Sequence, residues 1–273
     1  LKNVIQKFPH TNAMGMEIDT GDFRGNIEKA VQLADRTGFE VRRTEAAKNG
    51  RLRGMGIACF IETSRGANAE GAAVNFRDDN IVELRLGTES NGQGHETAFS
   101  QIAADKFGLP LESFHYVQAN TAKIQAGNGH GGARSMHMGG SALYAAMEAV
   151  LNKARPIAAQ MLQKGEDAIV FTEGEFRVRN TGQSVGLLDV AAAAKDPKIS
   201  GSGGLDSYER REDAPFTFPS GCHVAEVEID QYTGQLQLVR YLLVDDYGRQ
   251  INPKLTEGQV HGGVVQGIGQ AIL

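Results

Sequence analysis

The chain has 273 residues, with 28 Lys and Arg against 33 Asp and Glu, a formal net charge of -5 and 41% hydrophobic residues. Such a length can bury a sizeable core, and the mixed charges leave no basic stripe for a phosphate backbone, so no nucleic-acid partner is expected. Apolar runs stop well short of the roughly 20 residues of a membrane span, and the N-terminus lacks a signal-peptide pattern. These features predict a cytoplasmic protein without a membrane span.

The two cysteines, Cys59 and Cys222, lie far apart in the sequence. They cannot make a disulfide framework or a CxxC metal site, which favours a reducing compartment. We therefore expect that this chain ligates no iron-sulfur cluster.

Hydrophobic periodicity predicts helices and paired strands in alternation along the chain. One helix is predicted from about residue 23 to 37, with Gly38 as its stop. The segment HETAFSQIAADKFG has helical period and ends at Gly108. The other predicted elements are strands within 54–63, 72–77, 80–88 and 113–119, a helix over 135–153 bounded by Pro156, a hairpin over 168–180 with its turn at Glu173-Gly174, a hairpin of 223–230 with 236–246, and a helix from about 257 onward. The polar stretch over 195–213 is predicted to be either an exposed loop or an excursion that faces a partner subunit.

This order of elements, ββ-α-β followed by α-ββ-ββ-α, lacks the steady βαβ alternation of a doubly wound sheet. It favours an α+β architecture of mixed sheets and packed helices, with two similar lobes.

Glycine is unusually frequent, with 34 of the 273 residues, whereas a frequency of about 7% is usual. Much of it lies just before or inside helical patterns, at Gly87 to Gly94, Gly127 to Gly132 and Gly258 to Gly269. This distribution indicates positions where the backbone approaches something closely.

The first glycine-rich segment is GTESNGQGHET, residues 87–97, where a strand ends, Gln93 stands between two glycines, and a helix opens. The unpaired amides and the dipole of a helix N-terminus make an anion site, and Gly92 and Gly94 remove side chains that would block it. A phosphate or a polar heterocycle fits this pattern. A tight structural turn is the alternative, because a single GxG motif is weak evidence.

The second segment is AGNGHGGARSMHMGG, residues 126–140, again a loop that opens a helix. Ser135 is a candidate helix cap, and Arg134 can hold an anion with its fork of donors. A mobile loop is the alternative.

The third segment is EGQVHGGVVQGIGQ, residues 257–270, a helix whose internal glycines cost about 1 kcal/mol each relative to Ala. Close packing against a neighbour is the favoured explanation for this cost. A ligand approached by Gln259 or Gln266 is the alternative.

Four histidines, His95, His130, His137 and His261, lie in or beside these segments. They form no HxxxH or HExxH pair and neither cysteine is near them in sequence, so no metal site is predicted. No GxSxG motif occurs, and Asp245-Asp246 is typical of a strand end, so nucleophilic hydrolysis is not expected either.

Taken together, in this order and spacing, the three segments resemble the large molybdenum-cofactor subunit of the xanthine dehydrogenase, aldehyde oxidase and carbon monoxide dehydrogenase family, closest to the carbon-monoxide-dehydrogenase-like branch. The resemblance covers nearly the whole chain. The stretches that carry it are AMGMEIDTGDF, GFEVRRTEAAKNGRLRGMGIACFIE, GTESNGQGHETAFSQIAADKFGLP, GGARSMHMGGSA and HVAEVEIDQYTGQLQLVRYLLVDDYGRQINPKLTEGQVHGGVVQGIGQAI.

This resemblance implies a domain organisation. Residues 51–273 would form a molybdopterin-binding domain truncated at its C-terminus, with lobes at about 51–155 and 156–273. Residues 1–50, a lead-in segment with one helix, would be the end of the preceding molybdopterin-binding domain.

The resemblance also implies a molybdopterin cofactor, in bacterial members usually the cytosine dinucleotide form. Backbone amides and glutamine side chains in such loops would hold its phosphates and pterin. The implied residues are Gly92, Gln93, Gly94 and His95 at the phosphate and pterin end, Gly132, Ala133, Arg134, Ser135 and Met136 along the pterin and nucleotide, and Gln259.

The implied reaction is hydroxylation of an aldehyde, a nitrogen heterocycle or a related small substrate with oxygen from water. The implied partners are the rest of the molybdenum subunit, a medium subunit with FAD and a small subunit with 2Fe-2S clusters, assembled as a dimer of heterotrimers. The family's catalytic glutamate, in a GxGE segment, is expected beyond Leu273, so no catalytic residue and no metal ligand is nominated. The alternatives are an inactive domain fragment, a phosphate- or nucleotide-binding module, and a scaffold lobe.

Overall fold

The computed structural model describes residues 1–65, 69–201, 203–212 and 214–273. The chain folds into two compact units. Unit 1 comprises Leu1–Ser64, Phe216–Gln250 and Thr256–Leu273, and unit 2 comprises Arg65–Pro215 and Ile251–Leu255. Each unit therefore joins segments that are distant in the sequence.

Strands and helices alternate along the described residues. The strands are β1 (His10–Thr11), β2 (Glu17–Ile18), β3 (Arg51–Ile61), β4 (Glu70–Phe76), β5 (Val82–Leu86), β6 (Phe114–Val117), β7 (Ile169–Thr172), β8 (Glu175–Val178), β9 (Ser184–Gly186), β10 (Ser207–Arg211), β11 (Ser220–Asp230) and β12 (Leu236–Asp246). The α-helices are α1 (Phe23–Leu33), α2 (Phe39–Lys48), α3 (His95–Phe107), α4 (Gly140–Leu162), α5 (Leu187–Ala193), α6 (Pro197–Ser200) and α7 (Pro253–Ile272). A π-helical turn, Ser135–Gly139, leads directly into α4.

Unit 1 is built on an antiparallel sheet with the strand order β12-β11-β3. The strands β11 and β12 form a hairpin, and β3 pairs with β11 along its whole length. The helix α1 packs on β11 and β12, and α2 packs on β3. The small core of this unit joins Ala30 of α1, and Ala34 directly after α1, to Cys222 and Val224 of β11.

A buried carboxylate ties the elements of unit 1 together. The side chain of Glu226 is 1% exposed and accepts hydrogen bonds from Arg42 at 2.7 Å, Arg53 at 2.8 Å and Arg240 at 3.2 Å. Burial alone raises the pKa of Glu226, but the hydrogen bonds from Arg42 and Arg53 outweigh it and bring the pKa below the usual Glu value. A carboxylate removed from water needs such partners.

Unit 2 contains a mixed sheet with the order β10-β4-β5-β6. Its pairs are antiparallel except for β5 and β6, and the helix α3 makes the crossover that a parallel pair requires. The helix α4 packs on this sheet and on α3, with Leu84, Phe99, Phe107, Leu143 and Met147 buried in the core. A second antiparallel sheet, β7-β8-β9, also packs with α4.

The α+β class is confirmed, and the two predicted hairpins form as β7-β8 and β11-β12. The helix predicted over 23–37 is confirmed at its start, but its predicted end is wrong, because α1 ends at Leu33. The second helix, α2 from Phe39, was not predicted. Asp35 adopts a left-handed conformation (φ 48°), and its carboxylate accepts from the backbone N–H of Gly38 at 3.1 Å. Short polar side chains that bond to the nearby backbone favour turns over helix in this way.

The predicted stop at Pro156 is also wrong, because α4 continues to Leu162 with Pro156 inside it. Pro156 lies on the exposed face of the helix, whereas Ala154, Ile157 and Ala158 are buried. Burial on both sides of Pro156 offsets a cost of about 3 kcal/mol.

The stretch predicted as an exposed loop, 195–213, contains α6 and β10, and β10 pairs with β4 from Ser207 to Arg211. Residues 202 and 213 of this stretch lie outside the described residues. The lobes predicted at about 51–155 and 156–273 do not coincide with the two units. Their boundary falls inside the continuous helix α4, and the lead-in segment holds two helices that pack on β3, β11 and β12.

Candidate functional site

The first and second glycine-rich segments meet in unit 2. The hydroxyl of Thr88, at the end of β5, lies 2.6 Å from the hydroxyl of Ser135. A Cβ atom at Gly87 would overlap the carbonyl oxygen of Ala126, so only glycine allows the two segments to come this close. The tertiary fold thus joins two loops that are separate in the sequence.

A polar contact between the loop tips extends this junction. The side-chain nitrogen of Asn91 lies 3.2 Å from Nε2 of His130, and Nδ1 of His130 lies 3.7 Å from the carboxylate of Glu89. Neither Asn91 nor Glu89 was singled out from the sequence, because nothing in the local pattern pairs them with His130.

The start of α3 has the geometry of an anion site. Gly94 occupies the N-cap position with φ 79° and makes no side-chain capping hydrogen bond. Because glycine has no side chain, it cannot cap the first backbone amides of α3. A Cβ atom at Gly92 would meet nothing within 4 Å in the described part of the chain, so the space beside the loop is open.

The side chain of Gln93 folds back onto its own loop. Its amide oxygen accepts from the backbone N–H of Asn91 at 2.5 Å, and its amide nitrogen donates to the carbonyl of Glu89 at 3.3 Å. These bonds order the loop that precedes α3.

His95, the first residue of α3, is 4% exposed and packs on Phe99 with 5.3 Å between ring centroids. Its Nδ1 atom has no hydrogen-bond partner among the described residues. Burial, with a smaller contribution from the nearby His130, holds the pKa of His95 below the usual value. The site thus contains a neutral imidazole with an unused polar atom.

The guanidinium of Arg134 bonds to groups of the protein itself. Its guanidinium is 1% exposed and bonds to the carboxylate of Glu70, which is fully buried, and to the carbonyls of Gly129 at 2.8 Å and Ala69 at 3.0 Å. These partners occupy the fork that could otherwise hold an anion. The side chain instead fixes the second loop to the start of β4.

The other residues of the second loop turn the backbone and line its surface. Gly132 and Ala133 have left-handed conformations, with φ of 87° and 51°. Ser135 is not a helix cap but the first residue of the π-helical turn. Met136 lines a cavity of about 600 Å³ with Lys106, Tyr144 and Arg211.

Gln259 belongs to unit 1, so it is described apart from the two loops. It lines a cavity of about 350 Å³ with Phe60, His223, Asp245 and Tyr247. A Cβ atom at any of the α7 glycines would meet nothing within 4 Å in the described residues. Close packing within this part of the chain therefore does not explain these glycines.

Comparison with known proteins identifies the family. The family whose description is molybdopterin cofactor-binding domain matches residues 29–273. The chain belongs to this family. The resemblance found from the sequence motifs is thereby confirmed, and the domain is one that binds a molybdopterin cofactor.

Two relatives match nearly the whole chain and are much longer than it. The nicotine 6-hydroxylase large subunit of Paenarthrobacter nicotinovorans is 34% identical in an alignment 288 residues long, gaps included, that covers 99% of this chain and 35% of the relative. The carbon monoxide dehydrogenase large chain of Hydrogenophaga pseudoflava is 30% identical in an alignment 291 residues long, gaps included, that covers 99% of this chain and 36% of the relative. The chain spans about a third of the length of these curated relatives.

Solved structures agree with this assignment. The match to the crystal structure of a Cu,Mo-CO dehydrogenase covers 96% of this chain and 36% of that chain, with a TM-score of 0.86 and 30% identity. The match to the crystal structure of quinoline 2-oxidoreductase from Pseudomonas putida 86 covers 96% of this chain and 36% of that chain, with a TM-score of 0.87 and 26% identity. None of the helices in the described residues is long and apolar enough to cross a membrane.

Proposed function

We propose that this chain is the cofactor-holding part of a molybdenum hydroxylase, an oxidoreductase that hydroxylates an aldehyde, a nitrogen heterocycle or a related small substrate with oxygen from water. The observation that carries the proposal is the meeting of two glycine-rich loops at the uncapped N-terminus of α3, in a domain of the molybdopterin cofactor-binding family. A helix end of this kind favours phosphate groups.

The residues at this helix end fit an anionic cofactor with many hydrogen-bonding groups. The space at Gly92 is open, the amides that follow Gly94 lack a capping side chain, and the buried Nδ1 of His95 has no partner among the described residues. The cofactor, when bound, supplies the redox chemistry, and the chain supplies position and electrostatics.

Each predicted residue has a distinct part in this proposal. The amides of Gly94 and His95 donate to a phosphate or to the pterin, while Gln93 orders the loop from which they donate. Arg134 acts through Glu70 by anchoring the second loop.

The remaining predicted residues line the surface beside the cofactor. Gly132 and Ala133, both at positive φ, turn the second loop, and the half-buried Ser135 and Met136 follow it. Gln259 remains a cofactor ligand on the strength of its place in the EGQVHGG segment.

The names of the relatives, a "large subunit" and a "large chain", support a multi-subunit enzyme. In this proposal the cofactor is the cytosine dinucleotide form, and the rest of the molybdenum subunit completes the pocket. A medium subunit with FAD and a small subunit with 2Fe-2S clusters accept the electrons in a cytoplasmic dimer of heterotrimers.

The test is a cofactor analysis of the protein isolated from its own host with its bound subunits. Molybdenum is measured by mass spectrometry, and CMP is measured after acid hydrolysis, which releases it from a cytosine dinucleotide. We expect near-stoichiometric amounts of both in the wild type. A protein without molybdenum would overturn the proposal, and molybdenum without CMP would overturn the cytosine dinucleotide form.

Gln93→Ala tests the first loop, with Gln160→Ala on the exposed face of α4 as the matched control. We expect Gln93→Ala to lower molybdenum and CMP several-fold while thermal unfolding stays near that of the wild type, because a loop side chain adds little to the core. The control should match the wild type in both measurements. Full cofactor retention in Gln93→Ala, or a loss of cofactor that only parallels a loss of stability, would contradict the role given to this loop.

A further inference from the structure

The two cysteines, distant in sequence, are direct neighbours in unit 1. Cys59 of β3 is the register partner of Cys222 of β11 in an antiparallel pair. Partners in antiparallel strands have Cα atoms about 4.5 or 5.5 Å apart, depending on the type of pair. Both distances lie within the 4.4 to 6.8 Å usual for disulfide-bonded cysteines. The two cysteines, free in this structure, are thus close enough in the fold to bridge.

The surroundings of the two thiols differ. Cys222 is fully buried, whereas Cys59 is exposed. Burial raises the pKa of Cys222 to about 12, and the neighbouring Cys59 thiol adds to this increase. One thiol is thus accessible to reagents while its partner is protected.

A small cavity leads to the accessible thiol. Cys59 lines a space of about 190 Å³ together with Ile5, Phe23, Asn26 and Ile61. The amide nitrogen of Asn26, a residue that is 9% exposed, has no hydrogen-bond partner in the described residues. This cavity offers a small oxidant a path to the exposed Cys59 thiol.

We propose that Cys59 and Cys222 form a redox-active dithiol, in which a peroxide reacts at Cys59 and a disulfide then closes between β3 and β11. The Cys59 thiolate attacks the peroxide O–O bond, so that the thiol becomes a sulfenic acid and one water is released. The sulfur of Cys222 then displaces hydroxide from the sulfur of Cys59, and the Cys222 proton converts the hydroxide to a second water. Two thiols lose two electrons in total, and one hydrogen peroxide is reduced to two waters.

The order of the two steps has a measurable consequence. A thiolate is the attacking species in disulfide formation, and Cys222 is protonated at neutral pH. Since the thiolate fraction rises about tenfold for each pH unit below the pKa, disulfide closure should accelerate by about that factor from pH 7 to pH 8.

The experiment uses the protein isolated from its host with its bound subunits. It is treated with hydrogen peroxide, quenched in acid, denatured, alkylated with N-ethylmaleimide, digested and examined by mass spectrometry. We expect a cross-linked peptide pair that contains Cys59 and Cys222, that disappears on treatment with dithiothreitol, and that forms faster at pH 8 than at pH 7. Cys222→Ser should leave Cys59 as a sulfenic acid that dimedone traps, and Cys222→Ala repeats this test if the serine variant does not fold.

Three results would overturn the proposal. In the first, Cys59 oxidises to a sulfinic acid while Cys222 is recovered alkylated. In the second, neither cysteine changes at peroxide concentrations that oxidise exposed thiols. In the third, Cys59→Ser leaves the oxidation of Cys222 unchanged. None of these results depends on bound cofactor, so the proposal stands or falls separately from the proposed function.

Discussion

The ion pair between Arg134 and Glu70 allows a quantitative test of how the second loop is held. In Arg134→Met the side chain keeps much of its length but loses its charge and its donors. The Glu70 carboxylate, fully buried, then remains without its guanidinium partner. Removing one member of a buried pair costs about 3 to 5 kcal/mol. At about 2 to 4 °C per kcal/mol for a protein of this size, the melting temperature should fall by about 6 to 20 °C.

Differential scanning calorimetry of the purified protein measures this change. Arg77→Met is the matched control, because Arg77 pairs with Asp79 in the same unit with side chains 45% and 52% exposed. Such an exposed pair contributes less than about 1 kcal/mol. The double variant Glu70→Gln with Arg134→Met should be more stable than Arg134→Met alone, since no uncompensated charge remains. The reasoning is refuted if Arg134→Met shifts the melting temperature no more than Arg77→Met does, or if the double variant is no better than the single one.

Three further changes test other parts of the fold. Glu226→Gln should lower the free energy of unfolding at pH 7 by at least about 2 kcal/mol in urea titrations. Because the pKa of Glu226 lies below the usual value, the wild-type advantage should persist above about pH 4.5 and disappear as the pH falls further, and an advantage that grows in acid would contradict this. Gly108→Ala, at φ 62° with its Cβ overlapping the backbone nitrogen of Gly174, should cost about 2 to 5 kcal/mol, whereas Gly182→Ala, in open space, should stay within about 0.5 kcal/mol. Because the pKa of His95 is below the usual value, the stability of the wild type should decline as the pH drops below about 6.5. This decline should be smaller in His95→Gln, and calorimetry of both proteins across that pH range measures the difference.

Local patterns in the sequence were enough to predict most elements and the family. The period-two apolar positions in the β11 and β12 segments, separated by QYTGQ, predicted a hairpin that the structure contains. The helix α3 begins after the GQG segment and ends at Gly108, as its periodicity and glycine cap indicated. Such features depend on consecutive residues, because side-chain period and backbone freedom are local properties.

The predicted site shows where local patterns stop being informative. The loops around Gly92 and Gly132 were predicted from their glycines to approach something closely, and Gly87 shows why glycine is needed where they meet. The partner of Arg134 could not be predicted, because Glu70 lies in a strand that carries no charge pattern pointing to it. The sequence indicated that Arg134 is a strong hydrogen-bond donor, but not which acceptor it would bond to.

By itself, the sequence determined the two hairpins, the helix α3 and the glycine-rich turns, since these follow from the spacing of apolar side chains and from backbone conformational freedom. Only the tertiary structure decided that α4 passes through Pro156, that Asn91 meets His130, and that Cys59 lies opposite Cys222. The physical reason is that burial and hydrogen bonding depend on groups brought together from distant parts of the chain, and their energies outweigh the local preferences by which a sequence is read.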